Sequence, residues 1–454
     1  MHKILSIVLK KITPSKTEIQ SEEEMVREIR QKLSKIKGKH SHIEWCGSSA
    51  RGTHLCGDRD LDLFIMFDKE LSEEDLEKEG LTTAKKLFKG FKWEKAYSQH
   101  PYIRGIIKGF EIELVPSYIV NSGSDKKSAV DRTPFHNKYL IERMNDKQKN
   151  DARLLKQFLK GIGAYGADLK NCALPGYAAE LMILYYTSFE KTITAISEMK
   201  EGKIIDFFEE EANVKQLFKG QNYPLIIIDP VDKNRNVASA LSLEQFERMI
   251  LAAKLFLKNP KKEFFFPRKI NPLSINKIKK MLTEKELISI KIPFPKKELA
   301  DLVWGQLRRE LRKLKNRLEE NDFRVLQSNL WSDEKEVYFI FELESSTLQK
   351  AKKIFGPKAS DEENSKKFLE KKRKVISGPR IEDGKLVLEI EREYTHAKEF
   401  LIHELKEETK SETKSIKYGL KKAKVLTEKE LIKEYKGEFS KYLTTYLKGK
   451  EIFE

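Results

Sequence analysis

Cysteine is nearly missing from this chain. Its 454 residues contain three, Cys46, Cys56 and Cys172. Three thiols make no disulfide framework and their spacing matches no zinc site, which points to a reducing, cytoplasmic setting. Long apolar runs are absent too: no stretch approaches the roughly 18–20 residues of a membrane span. The apolar patch from Ile4 to Leu9 meets Lys10 and Lys11 too early for a signal peptide. Acidic residues are in deficit, 71 Asp and Glu against 88 Lys and Arg, for a net charge of +17. That imbalance calls for a polyanionic partner. With no basic amphipathic anchor in the chain, nucleic acid is expected ahead of a membrane. No solenoid-period repeat and no long low-complexity tract occurs. What remains is core-forming material, 39% hydrophobic and 10% aromatic, too much for a wholly disordered protein. The length suggests about three domains.

The pattern along the chain is that of a multidomain α/β protein. Ser21 and Glu24 read as a capping box, with Met25, Ile29, Leu33 and Ile36 at helical spacing behind them. Residues 43–46 and 60–67 read as strands, residues 72–89 as a helix. Residues 102–115 read as a hairpin broken at Lys108-Gly109. Residues 150–258 are mainly helical, with a short apolar run at 225–228 as the exception. Pro260, Pro267 and Pro272 mark a boundary. Beyond it, strands are expected at 288–293, 323–327, 337–343 and 385–390, with helices at 298–321 and 347–355. The order β-α-β-β-α-β is that of a ferredoxin-like unit, although no RNP aromatic signature is present. Residues 406–450 read as a solvated, lysine-rich helix. The expected domains are 1–148, 149–266 and 267–454.

The chemistry concentrates in two short stretches. The first runs from Gly47-Ser48-Ser49-Ala50-Arg51 to Asp60-Leu61-Asp62-Leu63. Side chains two apart on a strand share a face, so Asp60 and Asp62 point together while Leu61, Leu63, Ile65 and Phe67 face a core. Bare neighbouring carboxylates repel, and a hard divalent cation, Mg²⁺ above all, is the usual reason to hold them together. The second stretch, Glu111-Ile112-Glu113, offers a third carboxylate. Glu113 lies nearer its strand's end, and Glu111 reads as an ordinary strand residue. Gly47-Ser48 sits between a strand and an expected helix, where free N–H groups receive phosphate. Arg51 lies three residues on and faces the same anion. Metals, a phosphate cradle and an arginine are the parts of a nucleotidyl-transfer site. Cys46 and Cys56 read as small buried residues and His54 as a turn residue.

This constellation resembles the polymerase-beta-like nucleotidyltransferase superfamily. Narrower motifs resemble the archaeal-type (class I) CCA-adding tRNA nucleotidyltransferases. These are Ser128 through His136, Arg153-Leu154-Leu155-Lys156 leading to Gly163-Ala164-Tyr165-Gly166, and Asp229 through Ala238. The likeness spans residues 25–253 and thins out by about residue 369.

The resemblance implies a fold of three parts: a nucleotidyltransferase domain with a mixed sheet, a mainly helical central domain, and an α+β, RRM-like C-terminal part with a helical tail. It implies stepwise addition of C, C and A to the tRNA 3′ end from CTP and ATP, without a nucleic-acid template, by a homodimer. Asp60, Asp62 and Glu113 would hold Mg²⁺. Gly47, Ser48 and Arg51 would meet the triphosphate. Thr133, His136, Lys156 and Tyr165 would line the nucleotide site, and Arg235 would help to read the base. Asp60 stands where close relatives often carry Glu, and Glu113 where they often carry Asp; both swaps keep the charge and shift its reach by one methylene.

Read from the residues alone, Lys156 falls on the polar side of its helix, free to reach a phosphate. Asp229 and Asp232 cap or turn the chain around Pro230 and brace Arg235. Lys371, Lys372, Arg373 and Lys374 are candidate tRNA contacts or a solvated helix face. Three rivals stay open at this point: a poly(A)- or oligoadenylate-type polymerase, a catalytically inactive RNA-binding relative, and a small-molecule nucleotidyltransferase.

Overall fold

The computed structural model describes residues 1–97, 101–295, 300–408, 414–451 and 453. The chain forms two compact units, Met1–Lys269 with Glu451–Glu454, and Ile270–Lys450.

The first unit opens with α1 (His2–Ile12), α2 (Lys16–Ser34), β1 (His40–Cys46), α3 (Gly47–Arg51), β2 (Asp60–Phe67) and α4 (Glu73–Leu87). Then come β3 (Trp93–Tyr97), β4 (Pro101–Ile107) and β5 (Phe110–Tyr118). The five strands make one sheet in the order β1-β2-β5-β4-β3. Only β2 and β5 run parallel. Period-two patterning sets the faces. Leu61, Leu63, Ile65 and Phe67 pack against Met25, Ile29 and Leu33 of α2 and Leu76, Ala84 and Leu87 of α4, leaving the face with Asp60 and Asp62 uncovered by that core.

The α2 helix starts earlier than its apolar spacing suggests. Ser15 and Glu18 form the capping box, and Ser21 lies inside the helix, its hydroxyl donating to the Thr17 carbonyl. Good helix formers between Lys16 and Glu24 extend the helix back to Ser15. Cys46 is buried, as expected, but Cys56 is exposed. His54 is a buried residue with Nε2 3.2 Å from Glu22 Oε1, not a turn residue.

The unit continues with α5 (Thr133–Arg143), α6 (Asp146–Gly161), α7 (Gly176–Tyr186) and α8 (Phe189–Glu198). There follow β6 (Lys203–Ile205), α9 (Glu211–Leu217), β7 (Leu225–Asp229), β8 (Asp232–Asn236) and α10 (Leu243–Lys258). All of these helices but α9, whose Val214 packs in a separate small cluster with Ile226 and Ile228, share one apolar core centred on Phe158, Phe189, Phe256 and Phe265, to which α1 adds Leu5, Val8 and Ile12. The apolar run at 225–228 is the middle strand of a small sheet, β6-β7-β8.

The second unit holds α11 (Ile275–Thr283), β9 (Glu286–Pro293), α12 (Ala300–Glu320), β10 (Val325–Ser332) and β11 (Glu336–Leu343). Next are β12 (Ala351–Phe355), α13 (Glu362–Glu370), β13 (Val375–Glu382), β14 (Lys385–Glu391), α14 (Ala397–Glu408) and α15 (Lys414–Leu420). It ends in β15 (Lys424–Thr427), α16 (Glu428–Leu431) and α17 (Gly437–Lys448). Its main sheet, β10-β11-β9-β15, is antiparallel throughout. Traced as β9-α12-β10-β11-α14-β15, it has the ferredoxin-like order.

That order stands, but two of its expected members do not. Residues 351–355 form strand β12 rather than part of a helix, and β14 is not the closing strand; both belong to a separate sheet, β12-β14-β13, inserted before α14. The alternating burial of Lys352 and Ile354 against their neighbours is a strand period that a short window does not separate from a helix. Within the tail expected to be solvated helix, β15 joins the main sheet. Phe439, Leu443 and Leu447 of α17 pack with Tyr338 and Ile340 on the sheet face opposite α12; residues 409–413 lie outside the described part. Lys371 through Lys374 lie in the link between α13 and β13, not on a helix. Among the described residues no helix is long and apolar enough to cross a membrane.

Candidate active site

The site is built on the parallel pair β2 and β5. Their register sets Asp62 beside Glu113 and Asp60 beside Glu111. On the other side of β2, Cys46 at the end of β1 lies opposite Asp62. The chain then turns into α3 at Gly47, whose φ is +78°, and a Cβ there would lie 1.8 Å from Asp62 Oδ2. Glycine is therefore required twice at this step, for its left-handed backbone and for the room it leaves. The Gly47-Ser48 turn thus lies directly against the second carboxylate. The start of α3 has no side-chain cap.

The three predicted carboxylates meet on one face, unequally. Asp62 and Glu113 are half-buried neighbours; Asp60, two residues back, is exposed. Burial, with Asp60 adding its charge and Arg51 opposing, pushes Asp62 up to about 6. Burial and then the Asp62 charge push Glu113 up to about 7, against the hydrogen bond donated by Tyr102 Oη to Glu113 Oε1 at 3.3 Å. Asp60 is raised as well, by partial burial and by Asp58 and Glu111. Among the described residues, no group of three His, Cys, Asp or Glu side chains stands gathered as a metal site. The donor set nonetheless suits a hard cation: it is all oxygen, and burial, with the carboxylates' mutual repulsion added, raises its proton affinity, a penalty that a divalent ion would relieve.

This burial of neighbouring carboxyls has a measurable sign. Both carboxyls bind protons more tightly in the folded chain than in the unfolded one, whose values lie near 4. The metal-free fold therefore gains stability from them as pH falls from about 7 toward 4, and loses it as pH rises. Asp62→Asn removes the penalty. It should raise the melting temperature of metal-free protein at pH 8 by about 3 °C or more, with the gain shrinking toward pH 4. Thermal unfolding in chelator across that range checks it, and a lower melting temperature for the variant at pH 8 would contradict the assignment.

The predicted nucleotide-side residues fall into two linked groups. Arg51 and Lys156 are joined by Glu180 of α7. Arg51 Nε and Nη2 donate to Glu180 Oε2 at 3.1 and 2.8 Å, and Arg51 Nη1 donates to Asn137 Oδ1 at 3.3 Å. Lys156 Nζ donates to Glu180 Oε1 at 2.7 Å, to Thr53 O at 3.2 Å and to Thr53 Oγ1 at 3.1 Å. Lys156 is 2% exposed, so it is not the free surface lysine its helical position suggests. It lies at the buried joint between α6, α7 and the loop after α3.

The second group is joined by Asp229. Its Oδ2 lies 2.8 Å from His136 Nε2 and 2.8 Å from Arg235 Nη1, and the His136 ring lies over Tyr177 with centroids 4.2 Å apart. Of the two expected braces on Arg235, Asp229 holds it and Asp232 does not. Asp232 instead accepts from Arg132 Nη1 at 2.7 Å and from Lys126. Thr133 begins α5, one turn before His136. Tyr165 is half-buried, with Lys160 Nζ 5.4 Å from its ring centre, and its hydroxyl lies 2.6 Å from where a Cβ on Gly176 would be. The groups feel one another: Arg51 holds Asp62 down, Tyr165 senses Glu180, Asp58, Arg51 and Asp60, and Tyr177 senses Asp229, Arg51, Arg235 and Glu180.

Sequence reasoning missed Glu180 altogether. Its signal was there: one carboxylate in Ala178-Ala179-Glu180-Leu181-Met182-Ile183, a run that is otherwise apolar and buried throughout. A lone charge in such a run needs a buried partner.

Fold, carboxylate face and glycine turn define the class: the chain is a nucleotidyltransferase, and residues 26–136 match the nucleotidyltransferase domain family. Residues 150–266 match the tRNA nucleotidyltransferase second domain and residues 285–428 the CCA-adding enzyme C-terminal domain. The chain is similar to the CCA-adding enzyme of Methanosarcina mazei, at 36% identity over 88% of this chain and 88% of that protein. Similar relatives are the CCA-adding enzymes of Sulfurisphaera tokodaii, 35% identical over 86% and 88% of the two chains, and of Methanocaldococcus jannaschii, 36% over 87% and 89%. The chain belongs to the CCA-adding enzyme family.

Proposed function

We propose that this protein adds C, C and A in turn to the 3′ end of tRNA, drawing on CTP and ATP and releasing pyrophosphate at each step. The observation that carries the reading is the β2–β5 register, which sets Asp62 beside Glu113 against the Gly47 turn. Asp60, Asp62 and Glu113 would hold Mg²⁺, which when bound supplies positive charge to the triphosphate and lowers the pKa of the tRNA 3′-hydroxyl. The chain's own residues position the reactants. Gly47 and Ser48 offer backbone N–H groups to the triphosphate, and Arg51 keeps two N–H donors beyond the three it spends on Glu180 and Asn137. Lys156 adds buried positive charge behind them. Thr133, His136 and Tyr165 line the nucleotide, and Arg235, aimed by Asp229, reads the base. Little covalent chemistry falls to side chains, so placement and charge carry the rate.

The three segments 1–148, 149–266 and 267–454 divide this work into catalysis, nucleotide selection and tRNA grip. The net charge of +17 suits a phosphate-rich substrate. A homodimer and a cytoplasmic setting belong to the same reading.

The test uses full-length protein, tRNA lacking its CCA end and Mg²⁺. CTP alone should extend the tRNA by two nucleotides, and subsequent ATP by one, after which growth stops. A ladder of A residues from ATP alone would instead mark a poly(A)-type enzyme, and no incorporation with bound tRNA an inactive relative.

A further inference from the structure

Three charged side chains are buried together in the first unit: Arg51 at 8% exposure, Lys156 at 2% and Glu180 at 0%. Each comes from a different helix, and α7, which carries Glu180, otherwise buries Ala178, Ala179, Leu181, Met182 and Ile183. Replacing a buried ion cluster by well-packed apolar groups is often neutral or stabilising, so its presence needs a reason beyond stability.

We propose that Glu180 is a positioning residue for nucleotidyl transfer, holding the Arg51 guanidinium and the Lys156 ammonium as a preset pair beside the carboxylate face. The inference rests on the function proposed above. The carboxylate divides its oxygens: Oε2 takes both bonds from Arg51, and Oε1 takes Lys156 and the Thr53 hydroxyl. Two guanidinium N–H groups converging on one carboxylate oxygen hold Arg51 more narrowly than a single bond does. Burial pushes the Glu180 carboxyl up, but Arg51 and Lys156 together bring it down to about 2. It is therefore an anion throughout the working range.

One anion against two cations leaves a surplus of one positive charge, and the geometry says where it can be used. Lys156 spends all three N–H donors on Glu180 and Thr53, so it meets a phosphate only by exchanging one of these. Arg51 retains two donors. Arg51 is the ready contact, and Glu180 aims it. The start of α7 is shaped to the same end: a Cβ on Gly176 would come 2.6 Å from Tyr165 Oη and 3.6 Å from Lys156 Cε.

A double-mutant cycle in the full-length protein tests this, read as single-turnover rates at saturating CTP and, separately, ATP. Glu180→Gln should slow both by a similar factor, about 10²-fold, the cost of a displacement near 1 Å in a positioning group. In an Arg51→Ala background it should slow them by less than about threefold more, because Arg51, the cation with donors to spare for a phosphate, is gone and Lys156 keeps its bonds to Thr53. Glu180→Asp, which keeps the charge, should fall between, and carries the same cycle if Glu180→Gln does not fold. Affinity for tRNA should hold. A purely structural Glu180 would lower the melting temperature and leave the rate of folded enzyme unchanged well below it. That result, an effect on one nucleotide only, or full additivity with Arg51→Ala would each overturn the inference. Wild-type protein that adds neither C nor A to tRNA would sink the proposed function instead.

Discussion

Asp62→Ala should lower nucleotide addition by at least about 10³-fold while leaving tRNA affinity within about threefold of wild type. The asymmetry comes from where the side chain stands. Asp62 has Glu113 on one side, Gly47 on the other and Asp60 along its own strand, so it is the carboxylate closest to all the others. Removing it takes away the ligand a metal would share with both neighbours, and metal-borne stabilisation of a phosphoryl transition state is worth several kcal/mol, each 1.4 kcal/mol being tenfold. Binding of tRNA draws instead on phosphate contacts spread over a chain with 88 basic residues. Single-turnover incorporation and a filter-binding titration give the two numbers. Residual turnover above about one part in ten would mean that Asp62 is not the central ligand.

Gly47→Ala should act almost as strongly, for a steric reason. At φ +78° any L side chain is strained, and the new Cβ would fall 1.8 Å from Asp62 Oδ2. Either the turn or the aspartate must move. The expected cost is about 2–4 kcal/mol of stability, together with at least about 10²-fold in rate as Asp62 loses its place. Gly52 supplies the control. Its φ is +67°, yet the nearest atom to its missing Cβ is Lys149 Cδ at 3.8 Å. Gly52→Ala should show the strain without the collision and keep most of its activity. Equal losses at both positions would say that backbone strain alone, not the contact with Asp62, makes Gly47 necessary.

The carboxylate face could be read from residues because a strand's period is two and its apolar face announces itself. Asp60 and Asp62 alternate with Leu61 and Leu63, and the observed strand has the expected ends. Glu113 could be found as an acidic residue on a later strand. Its seat beside Asp62, rather than two residues away, is a matter of register, which local pattern does not specify. The buried links were harder. The Arg51–Glu180 pair spans 129 positions and the His136–Asp229 pair 93, and nothing near either partner encodes the other. Lys156 shows the converse error. Helical spacing placed it on the polar side, and so it is, but that side faces another helix rather than water. In the second unit the ferredoxin-like order was legible even though two of its members were misassigned. A short run such as Ala351–Phe355 supports either period, and only pairing with β14 decides it.

The buried charges also bear on autonomy. Arg51 grows from the first hundred residues, while its counter-ion arrives on a helix near position 180, and α1 lends Leu5, Val8 and Ile12 to the core that carries that helix. A fragment cut near residue 148 would retain Asp60, Asp62 and Glu113 yet leave an arginine without its anion and strip α1 of the surface it covers. The catalytic half of this enzyme is therefore no self-standing module, and insertions or permutations of the gene must respect a seam already stitched from both sides.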